Sequence, residues 1–388
     1  MKKYMSYTIL MLLAMTALQS CDSIEDEYTY GRGQYKIDWN AAADSATATL
    51  IERFWDSSRH YFCYDADEFA NAPSNNYWPQ AHAMDVIVDA YLRTGESKYS
   101  DMFPQWFEGV KQMNYSNRGR NYLCEYYDDT EWIGLTIMRI YEATKEAKYL
   151  DAAKDIMAYI ETGWNDLGGG GIAWATSHTG SKNACSNGPA AILAAKLYMQ
   201  TNEEAYLDWA TRIFTWEKEN LFNQASGCVY DGLNGDTGEL NTTSLSYNQG
   251  TFLGAAHLLY QITGEETYLN DARKAAYYGM SNSGNLDTGN NILRDEGTGD
   301  GGLFKGIFMR YFTQLLMDGN LSRVYANKFS TFLNNNAEVL WRKGCNKNDL
   351  LFGSNWAEAT VGTTQLTSHT SGCTLVEMRA LYENMQKK

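Results

Sequence analysis

Proline and basic residues are both scarce in this chain. Only 4 prolines occur in 388 residues, so long helices can run without interruption. Lysine and arginine total 32 against 47 acidic residues, which gives a formal net charge of −15. Because nucleic acids and other polyanions are bound through basic patches, we expect no nucleic-acid partner and favour a neutral ligand.

Histidine and paired cysteines are also lacking. The chain has 5 histidines, and no Cys-x-x-Cys pair or Cys/His cluster shows zinc-site spacing, so we expect no metal ion and no cofactor. Six cysteines follow Cys21, at positions 63, 124, 185, 228, 345 and 373. We expect them to be buried free thiols in a large core.

The N-terminus predicts a targeting signal. Lys2 and Lys3 precede a short apolar stretch that ends at Leu18-Gln19-Ser20-Cys21, and this segment is too short to span a membrane. The pattern resembles a bacterial lipoprotein signal, which implies that residues 1–20 are removed and that Cys21 carries the lipid. A plain secretory signal with a chance cysteine is the alternative reading.

An acidic run, Asp-Ser-Ile-Glu-Asp-Glu, occupies residues 22–27. It resembles the surface-export signal of Bacteroidetes lipoproteins, although a solvated tether would look similar. We therefore expect residues 21–40 to be a tether on an outer-membrane lipoprotein at the cell surface, with the periplasmic face as the alternative. The lipid anchor would be the sole link to the membrane. Loss of Lys2 and Lys3 with the signal would change the formal charge from −15 to −17.

One repeat organises the rest of the chain. The pattern Tyr-x-x-Thr-x-Glu-x-x-Tyr begins at Tyr91, Tyr141, Tyr198 and Tyr260, with offsets of 50, 57 and 62 residues. Gly or Asn follows the threonine in three copies and suits a left-handed helix end, whereas Lys145 is the exception. The glutamate then starts a second helix, whose first turn favours acids. Each copy predicts a tight helical hairpin.

Helical patterns extend the count to six hairpins. The more apolar set, which we expect to form an inner ring, covers 78–93, 129–144, 187–200, 248–262, 304–317 and 370–386. The outer set covers 43–57, 97–113, 147–162, 204–220, 266–281 and 322–341. Because a single hairpin cannot bury its own apolar face, we predict an all-α (α/α)6 toroid in one domain, residues 41–388. An open helical solenoid is the competing architecture.

The pair Asp128-Asp129 stands at the start of the second inner helix, on the face that carries the long loops. Functional residues concentrate in loops on a rigid scaffold. A retaining glycosidase needs two carboxyl groups ~5–5.5 Å apart, and neighbouring residues at a helix start can meet that spacing. The alternative is structural: Asp128 would be the N-cap, with Glu131 completing a capping box.

Other segments at the mouths of inner helices bring sugar-binding residue types to the same face. They are Gly168 to Trp174, Lys182 to Pro189, Tyr247-Asn248-Gln249-Gly250 and Phe304-Lys305-Gly306-Ile307-Phe308. With Tyr127-Asp128-Asp129 and Trp132, these segments resemble glycoside hydrolase family 76, the endo-α-1,6-mannanases. The resemblance spans nearly the whole mature chain, and the order of the segments is specific although each one alone is weak.

The resemblance implies an (α/α)6 fold and retaining cleavage of α-1,6-mannan, with Asp128 as nucleophile and Asp129 as acid/base. The partner would be α-1,6-linked mannan or its oligosaccharides, and we expect a monomer. Family motif positions near the cleft would be Trp132, Trp174, Lys182, Asn187, Tyr247, Gln249 and Lys305. Position alone makes Trp78 and Trp356 candidate aromatic platforms, with core packing as their alternative role. His82 is expected to be a helix residue rather than a ligand.

Two other functions stay open at this point. One is a surface glycan-binding lipoprotein without turnover, which would keep the aromatic residues but have no need of the carboxyl pair. The other is a different (α/α)6 enzyme, such as an unsaturated-uronide hydrolase or a sugar epimerase. An acidic sugar would call for a more basic cleft, and such an epimerase relies on paired histidines, which the motifs lack.

Overall fold

The computed structural model describes residues 35–69, 77–117, 119–281, 286–317 and 320–387. The predicted signal, the lipid-attachment residue Cys21 and the acidic run lie outside the described residues. No helix in the described ranges is long and apolar enough to cross a bilayer. The six cysteines after Cys21 are free and buried, which confirms the expectation for them.

Long helices alternate between two rings. In chain order they are α1 (Trp39–Phe54), α2 (Pro79–Thr94), α3 (Met102–Asn117), α4 (Tyr127–Thr144), α5 (Ala147–Glu161), α6 (Gly188–Thr201), α7 (Glu204–Asn220), α8 (Ser246–Thr263), α9 (Glu266–Gly279), α10 (Gly301–Met317), α11 (Arg323–Val339) and α12 (Leu366–Gln386). A one-turn helix, Ser97–Ser100, precedes α3, and Leu340–Gly344 extends α11 as a π-helical turn. The first helix begins four residues earlier than its predicted start at 43, and the last begins four residues before 370.

The even-numbered helices form a closed inner ring. Each packs against the next even-numbered helix along the chain, and α12 packs against α2. In α2 every residue from Pro79 to Ala90 is buried, whereas the outer helix α5 buries only a stripe that runs from Tyr149 to Ile160. Closure distinguishes a toroid from an open solenoid, so the (α/α)6 prediction is confirmed.

The repeat forms the hairpin turns as predicted. Gly95, Lys145, Asn202 and Gly264 all adopt left-handed backbone, with φ of 71°, 59°, 56° and 72°. Each donates its backbone N–H to the carbonyl of the repeat's first tyrosine. The next glutamate is the N-cap of the helix that follows, which is the one-turn helix in the first repeat and the long outer helix in the other three. Its N–H donates to the threonine hydroxyl of the same repeat. Because the turns sit at the C-terminal ends of inner helices, the N-termini of the inner ring share the opposite face.

Buried ion pairs tie the inner helices together inside the ring. Arg139 on α4 contacts Asp85 at 2.8 Å and Asp89 at 2.5 Å, both on α2. Arg310 on α10 contacts Asp89 at 2.8 Å. Removing one partner of such a group would leave a buried charge uncompensated, at a cost of ~3–5 kcal/mol.

Short antiparallel strands occur on the face opposite the turns. They pair as β1 (Trp55–Asp56) with β2 (Tyr61–Phe62), β3 (Gly119–Arg120) with β4 (Leu123–Cys124), and β6 (Phe222–Asn223) with β7 (Cys228–Val229). A three-stranded sheet has the order β5 (Ser181–Asn183), β8 (Gly232–Asn234), β9 (Leu240–Asn241). These elements order the long loops around the N-termini of the inner helices.

Candidate active site

Asp128 and Asp129 lie in the first turn of α4, which begins at Tyr127. Tyr126 is the N-cap, with extended backbone and no side-chain cap, so Asp128 is not the capping residue. The capping box is absent as well, because the Glu131 carboxyl is buried without a hydrogen-bond partner among the described residues. The Asp128 carboxylate instead accepts the backbone N–H of Asp129 at 3.0 Å. The alternative in which Asp128 is the N-cap and Glu131 completes a capping box is therefore wrong.

Both aspartates open into a cavity of about 420 Å³ at the N-terminal face of the inner ring. The residues lining it are Trp78, Tyr126, Asp128, Asp129, Trp132, Trp174, Cys185, Tyr247, Asp300 and Phe304. Six of the predicted site residues are thus brought together: both aspartates, three tryptophans and Tyr247. The positive ends of the inner-helix dipoles point towards this face, which favours an anionic group there.

Aromatic rings form three walls of the cavity. On one side His82 lies between Trp78 and Trp132, with centroid distances of 5.4 and 4.8 Å. On another side the rings of Tyr126 and Trp174 are 5.0 Å apart. The third wall is Tyr247 stacked on Phe304 at 4.0 Å. Flat apolar surfaces beside carboxylates suit a sugar ring, which has apolar faces and a polar rim.

Electrostatics separate Asp128 from an ordinary surface aspartate. Burial raises the pKa of Asp128 from 3.8 to about 6, and this effect outweighs the hydrogen bonds that favour its ionised form. The contributions that favour the ionised form come from the Cys185 thiol, the backbone N–H groups of Asp129 and of Asp128 itself, and the Trp174 side chain. At neutral pH the Asp128 carboxylate is therefore ionised, as a nucleophile requires, and the Asp129 backbone N–H donates to it.

The Cys185 thiol can act as a hydrogen-bond donor towards Asp128 because it stays protonated. Burial, with the nearby Asp128 carboxylate as the next contribution, raises the pKa of Cys185 well above its usual range. Burial also raises the pKa of the Tyr247 phenol well above its usual range, and the neighbouring Cys185 adds to this effect. Tyr247, Cys185 and Asp128 thus lie next to one another in the cavity lining and influence one another's pKa.

Two further carboxyl groups lie behind the nucleophile. Glu131 on α4 and Glu217 on α7 are buried, and neither carboxyl has a hydrogen-bond partner among the described residues. Burial raises the pKa of both well above the usual range, and the charge of Asp128 adds to the effect on Glu131. Burial therefore disfavours a negative charge on either group.

Lys182 and Asn187 are buried outside the cavity lining, where they hold the glycine loop. The Lys182 ammonium donates to the carbonyl of Gly171 at 2.6 Å. The Asn187 amide accepts the N–H of Ile172 at 2.8 Å and donates to its carbonyl at 3.1 Å. Both residues thus lie outside the cavity lining, and their polar atoms satisfy backbone groups of the loop that carries Trp174.

The glycine loop depends on glycine at its four successive positions as well as on the bonds from Lys182 and Asn187. Its four glycines, 168 to 171, all have positive φ, between 65° and 132°. A Cβ at Gly170 would lie 2.6 Å from the Trp164 ring, and one at Gly171 would lie 2.8 Å from Trp216. The backbone therefore passes closely over two indoles before it reaches Trp174.

Gln249, Lys305 and Trp356 are also buried away from the cavity. The Gln249 amide pairs with both backbone groups of Val229, at 3.0 and 2.8 Å. Lys305 donates to the Ser354 carbonyl, and its ammonium lies 4.4 Å from the centre of the Trp356 ring. Trp356 is 0% exposed, so it packs under the last long loop and offers no platform to a ligand.

Tyr126, Cys185, Asp300 and Phe304 line the cavity but were not predicted as site residues. Asp300 accepts the Trp78 indole N–H at 2.9 Å and fixes the orientation of that wall. Tyr126, Cys185 and Phe304 adjoin or lie within the motif segments at the mouths of the inner helices. Nothing in the sequence distinguishes Asp300 from other acidic residues in loops. Among the described residues no group of three or more His, Cys, Asp or Glu could hold a metal ion.

A closed double ring of helices with two adjacent carboxylates in an aromatic cleft is an arrangement suited to cleaving glycans. The model of glycosyl hydrolase family 76 matches residues 38–387. This chain belongs to glycoside hydrolase family 76, as its motifs predict.

Solved structures support the same relationship. The α-1,6-mannanase of Salegentibacter sp. HEL1_6 is 39% identical with a TM-score of 0.83, and the match covers 89% of this chain and 100% of that one. A similar match, at 39% identity, TM-score 0.84 and the same coverage, is an inactive variant of that enzyme, with two adjacent aspartates replaced by alanine, in complex with α-1,6-mannotetrose. A family 76 mannosidase from Bacteroides thetaiotaomicron is 26% identical, with a TM-score of 0.76 and coverage of 91% and 100%.

Relatives of assigned function are more distant. The mannan endo-1,6-α-mannosidase DFG5 of Candida albicans is 26% identical over 234 residues, which are 54% of this chain and 51% of that protein. The chain spans about half the length of the curated relatives it matches.

Proposed function

We propose that this protein is an endo-acting, retaining α-1,6-mannanase that cleaves the backbone of mannan. The observation that carries the proposal is the pair Asp128-Asp129 at the base of an aromatic cleft in a family 76 chain. The inactive relative that holds α-1,6-mannotetrose lost two adjacent aspartates, which is the same residue type and spacing as this pair.

Binding would rely on stacking and on the carboxylates. The three aromatic walls offer faces to successive mannose rings, while Asp129 and Asp300 accept hydrogen bonds from sugar hydroxyls. None of the cavity-lining residues is lysine or arginine. A neutral polysaccharide such as mannan therefore fits better than an acidic one, which disfavours the uronide-hydrolase alternative.

The reaction would be a double displacement. Asp128, ionised at neutral pH, attacks the anomeric carbon, while Asp129 donates its proton to the leaving glycosidic oxygen, so that a mannosyl–Asp128 ester forms and the C–O bond breaks. Water then attacks the anomeric carbon of the ester. Asp129 accepts its proton, the ester bond breaks, and both carboxyl groups return to their initial states with the anomeric configuration retained.

The N-terminal signal supports a location for this activity. If residues 1–20 are removed and Cys21 is lipidated, the enzyme would be an outer-membrane lipoprotein held by a tether at the cell surface. A surface mannanase would meet polymers that are too large to enter the cell. Metabolic lipid labelling of the wild-type chain and of Cys21→Ala, followed by protease treatment of intact cells, tests both parts of this proposal.

Digestion of linear α-1,6-mannan, followed by NMR of the first-formed product, tests the function. We expect oligosaccharides of several sizes from the outset, with the α-anomer formed first. Glu125→Gln is the matched control, because Glu125 is an exposed acid three residues from Asp128 and outside the cavity lining. Binding of mannan without any product would instead support the glycan-binding alternative, and a first-formed β-anomer would contradict the double displacement.

A further inference from the structure

A second and larger cavity, of about 740 Å³, lies beside the candidate active site. Its walls are the loop from Ser177 to Gly180, the strands β5, β8 and β9, and the residues just after β9. None of its lining residues has a role in the proposed reaction. We refer to it as the sheet cavity.

The sheet cavity and the active-site cavity share a wall. The ring of His178, which lines the sheet cavity, is 5.5 Å from the ring of Trp174, which lines the active-site cavity. Trp174 also donates its backbone N–H to the carbonyl of Ser181 at 2.8 Å, at the start of β5. A polysaccharide that extends from the active-site cavity past Trp174 would therefore reach the sheet cavity next.

The walls of the sheet cavity are built rigidly. Gly235 donates its N–H to the Gly180 carbonyl at 2.7 Å and so ties the two loops together. Asn234 caps the turn after β8 by accepting the backbone N–H groups of Asp236 and Thr237, at 3.0 and 3.1 Å. A site whose groups are already fixed loses little conformational entropy when a ligand binds.

The chemistry of the lining selects for a neutral polyol. Hydroxyl and amide groups come from serine, threonine and asparagine side chains, and Asp236 and Glu239 add two carboxylate acceptors. Lysine and arginine are absent from the lining, which disfavours an anionic ligand.

We propose that the sheet cavity binds the part of a mannan chain, or of its branches, that extends past Trp174 and beyond the catalytic cleft. This inference rests on the proposed function, and it adds a second binding region that no reacting group contacts. Asp236 and Glu239 would accept hydrogen bonds from sugar hydroxyls, and His178 would border the passage between the two cavities. The enzyme would then prefer long chains, because binding energy from a remote part of the substrate can be used at the reacting bond.

Chain-length dependence tests the proposal. The ratio of kcat/KM for an α-1,6-manno-octasaccharide to that for the tetrasaccharide should be well above one in the wild type. In the double variant Asp236→Ala/Glu239→Ala this ratio should fall by about fivefold or more, the effect of losing one or more hydrogen bonds. Thr242→Trp, which fills the cavity from an exposed lining position, should lower the ratio without removing any carboxylate.

The tetrasaccharide serves as the internal reference, and its kcat/KM should stay within about twofold of wild type in all these variants. Glu219→Ala is the matched control, because Glu219 is an exposed acid on α7 outside both cavities and should leave the ratio unchanged. A wild-type ratio near one, or a ratio unaffected by both the double variant and Thr242→Trp, overturns the inference while the proposed function stands. If the wild type cleaves neither oligosaccharide, it is the proposed function that fails.

Discussion

The Cys185 thiol lies beside the Asp128 carboxylate in the lining of the cleft and favours its ionised form. The two residues come from different parts of the ring, since Asp128 lies in the first turn of α4 and Cys185 lies in the turn between β5 and α6. The interaction with Cys185 lowers the pKa of Asp128 against the larger, opposing effect of burial. It makes Cys185 a positioning residue for the proposed nucleophile.

Removing this donor should shift the pH dependence of catalysis. Cys185→Ala loses an interaction that favours ionised Asp128, so the acidic limb of kcat/KM should move to higher pH, with about fivefold lower activity at pH 6 if the pKa rises by about one unit, and a smaller loss at pH 8. Cys185→Ser keeps a donor and should restore the wild-type profile. Cys228→Ala changes a buried thiol outside the cavity lining and is the control. A uniform loss at all pH values would indicate a purely structural role for Cys185.

The wild-type profile itself follows from the pKa of Asp128, which burial raises to about 6. Protonated Asp128 cannot attack, so kcat/KM should fall with decreasing pH below about 6, by close to tenfold per pH unit. Initial rates on a soluble α-1,6-manno-oligosaccharide between pH 4 and pH 8 provide the measurement. Activity that stays level down to pH 4 would mean that the nucleophile has an ordinary aspartate pKa, near 3.9.

The same raised pKa predicts a stability cost. The folded state binds the Asp128 proton more tightly than the unfolded state, so the protein loses stability as the pH rises from 3.8 through about 6. Asn at this position cannot ionise. The Asp128→Asn variant should therefore be more stable than wild type by about 2–3 kcal/mol at pH 7 and almost equally stable below pH 4.

Urea unfolding of wild type and Asp128→Asn at the two pH values checks this stability prediction. Glu125→Gln, which removes an exposed acid outside the cleft, should change the free energy of unfolding by less than about 0.5 kcal/mol. A lower stability of Asp128→Asn at pH 7 would show that hydrogen bonds to the carboxylate, rather than its desolvation, dominate the energetics of this group.

Lys182 should act through the glycine loop and not through direct sugar contact. In Lys182→Met the Gly171 carbonyl loses its buried donor, so the free energy of unfolding should fall by about 1–3 kcal/mol, and kcat/KM should fall as Trp174 loses its position. Lys154→Met breaks an ion pair with Glu203 on the surface and should cost less than about 1 kcal/mol. An unchanged stability with a raised KM would instead make Lys182 a ligand-binding residue.

The architecture could be predicted from the sequence because its signals are local. Each turn combines a residue that tolerates positive φ with a threonine and a glutamate at fixed spacing, and even Lys145 adopts the left-handed conformation that its position requires. The apolar inner helices and the aspartate pair at the start of α4 are equally local. Helix starts were less accurate for α1 and α12, where no repeat marks the boundary.

The direction of individual side chains could not be predicted in the same way. Lys182, Asn187 and Gln249 have the residue types of sugar ligands, but unpaired backbone groups in neighbouring loops bind them instead. Whether a polar side chain faces a cavity or satisfies a loop depends on long-range contacts that sequence spacing does not encode. Asp300 shows the opposite case, a residue that no motif marks but that lines the cleft because of the path of its loop.

The most direct test of the account is the initial rate of reducing-end release from linear α-1,6-mannan by wild type, Asp128→Asn and Asp129→Asn. Each step of the proposed reaction needs both carboxyl groups, one at the anomeric carbon and one for proton transfer. We therefore expect each variant to lose at least about a thousandfold in rate. The folded state of each is to be verified by its unfolding transition. Substantial activity in either correctly folded variant would contradict the assignment of Asp128 as nucleophile and Asp129 as acid/base.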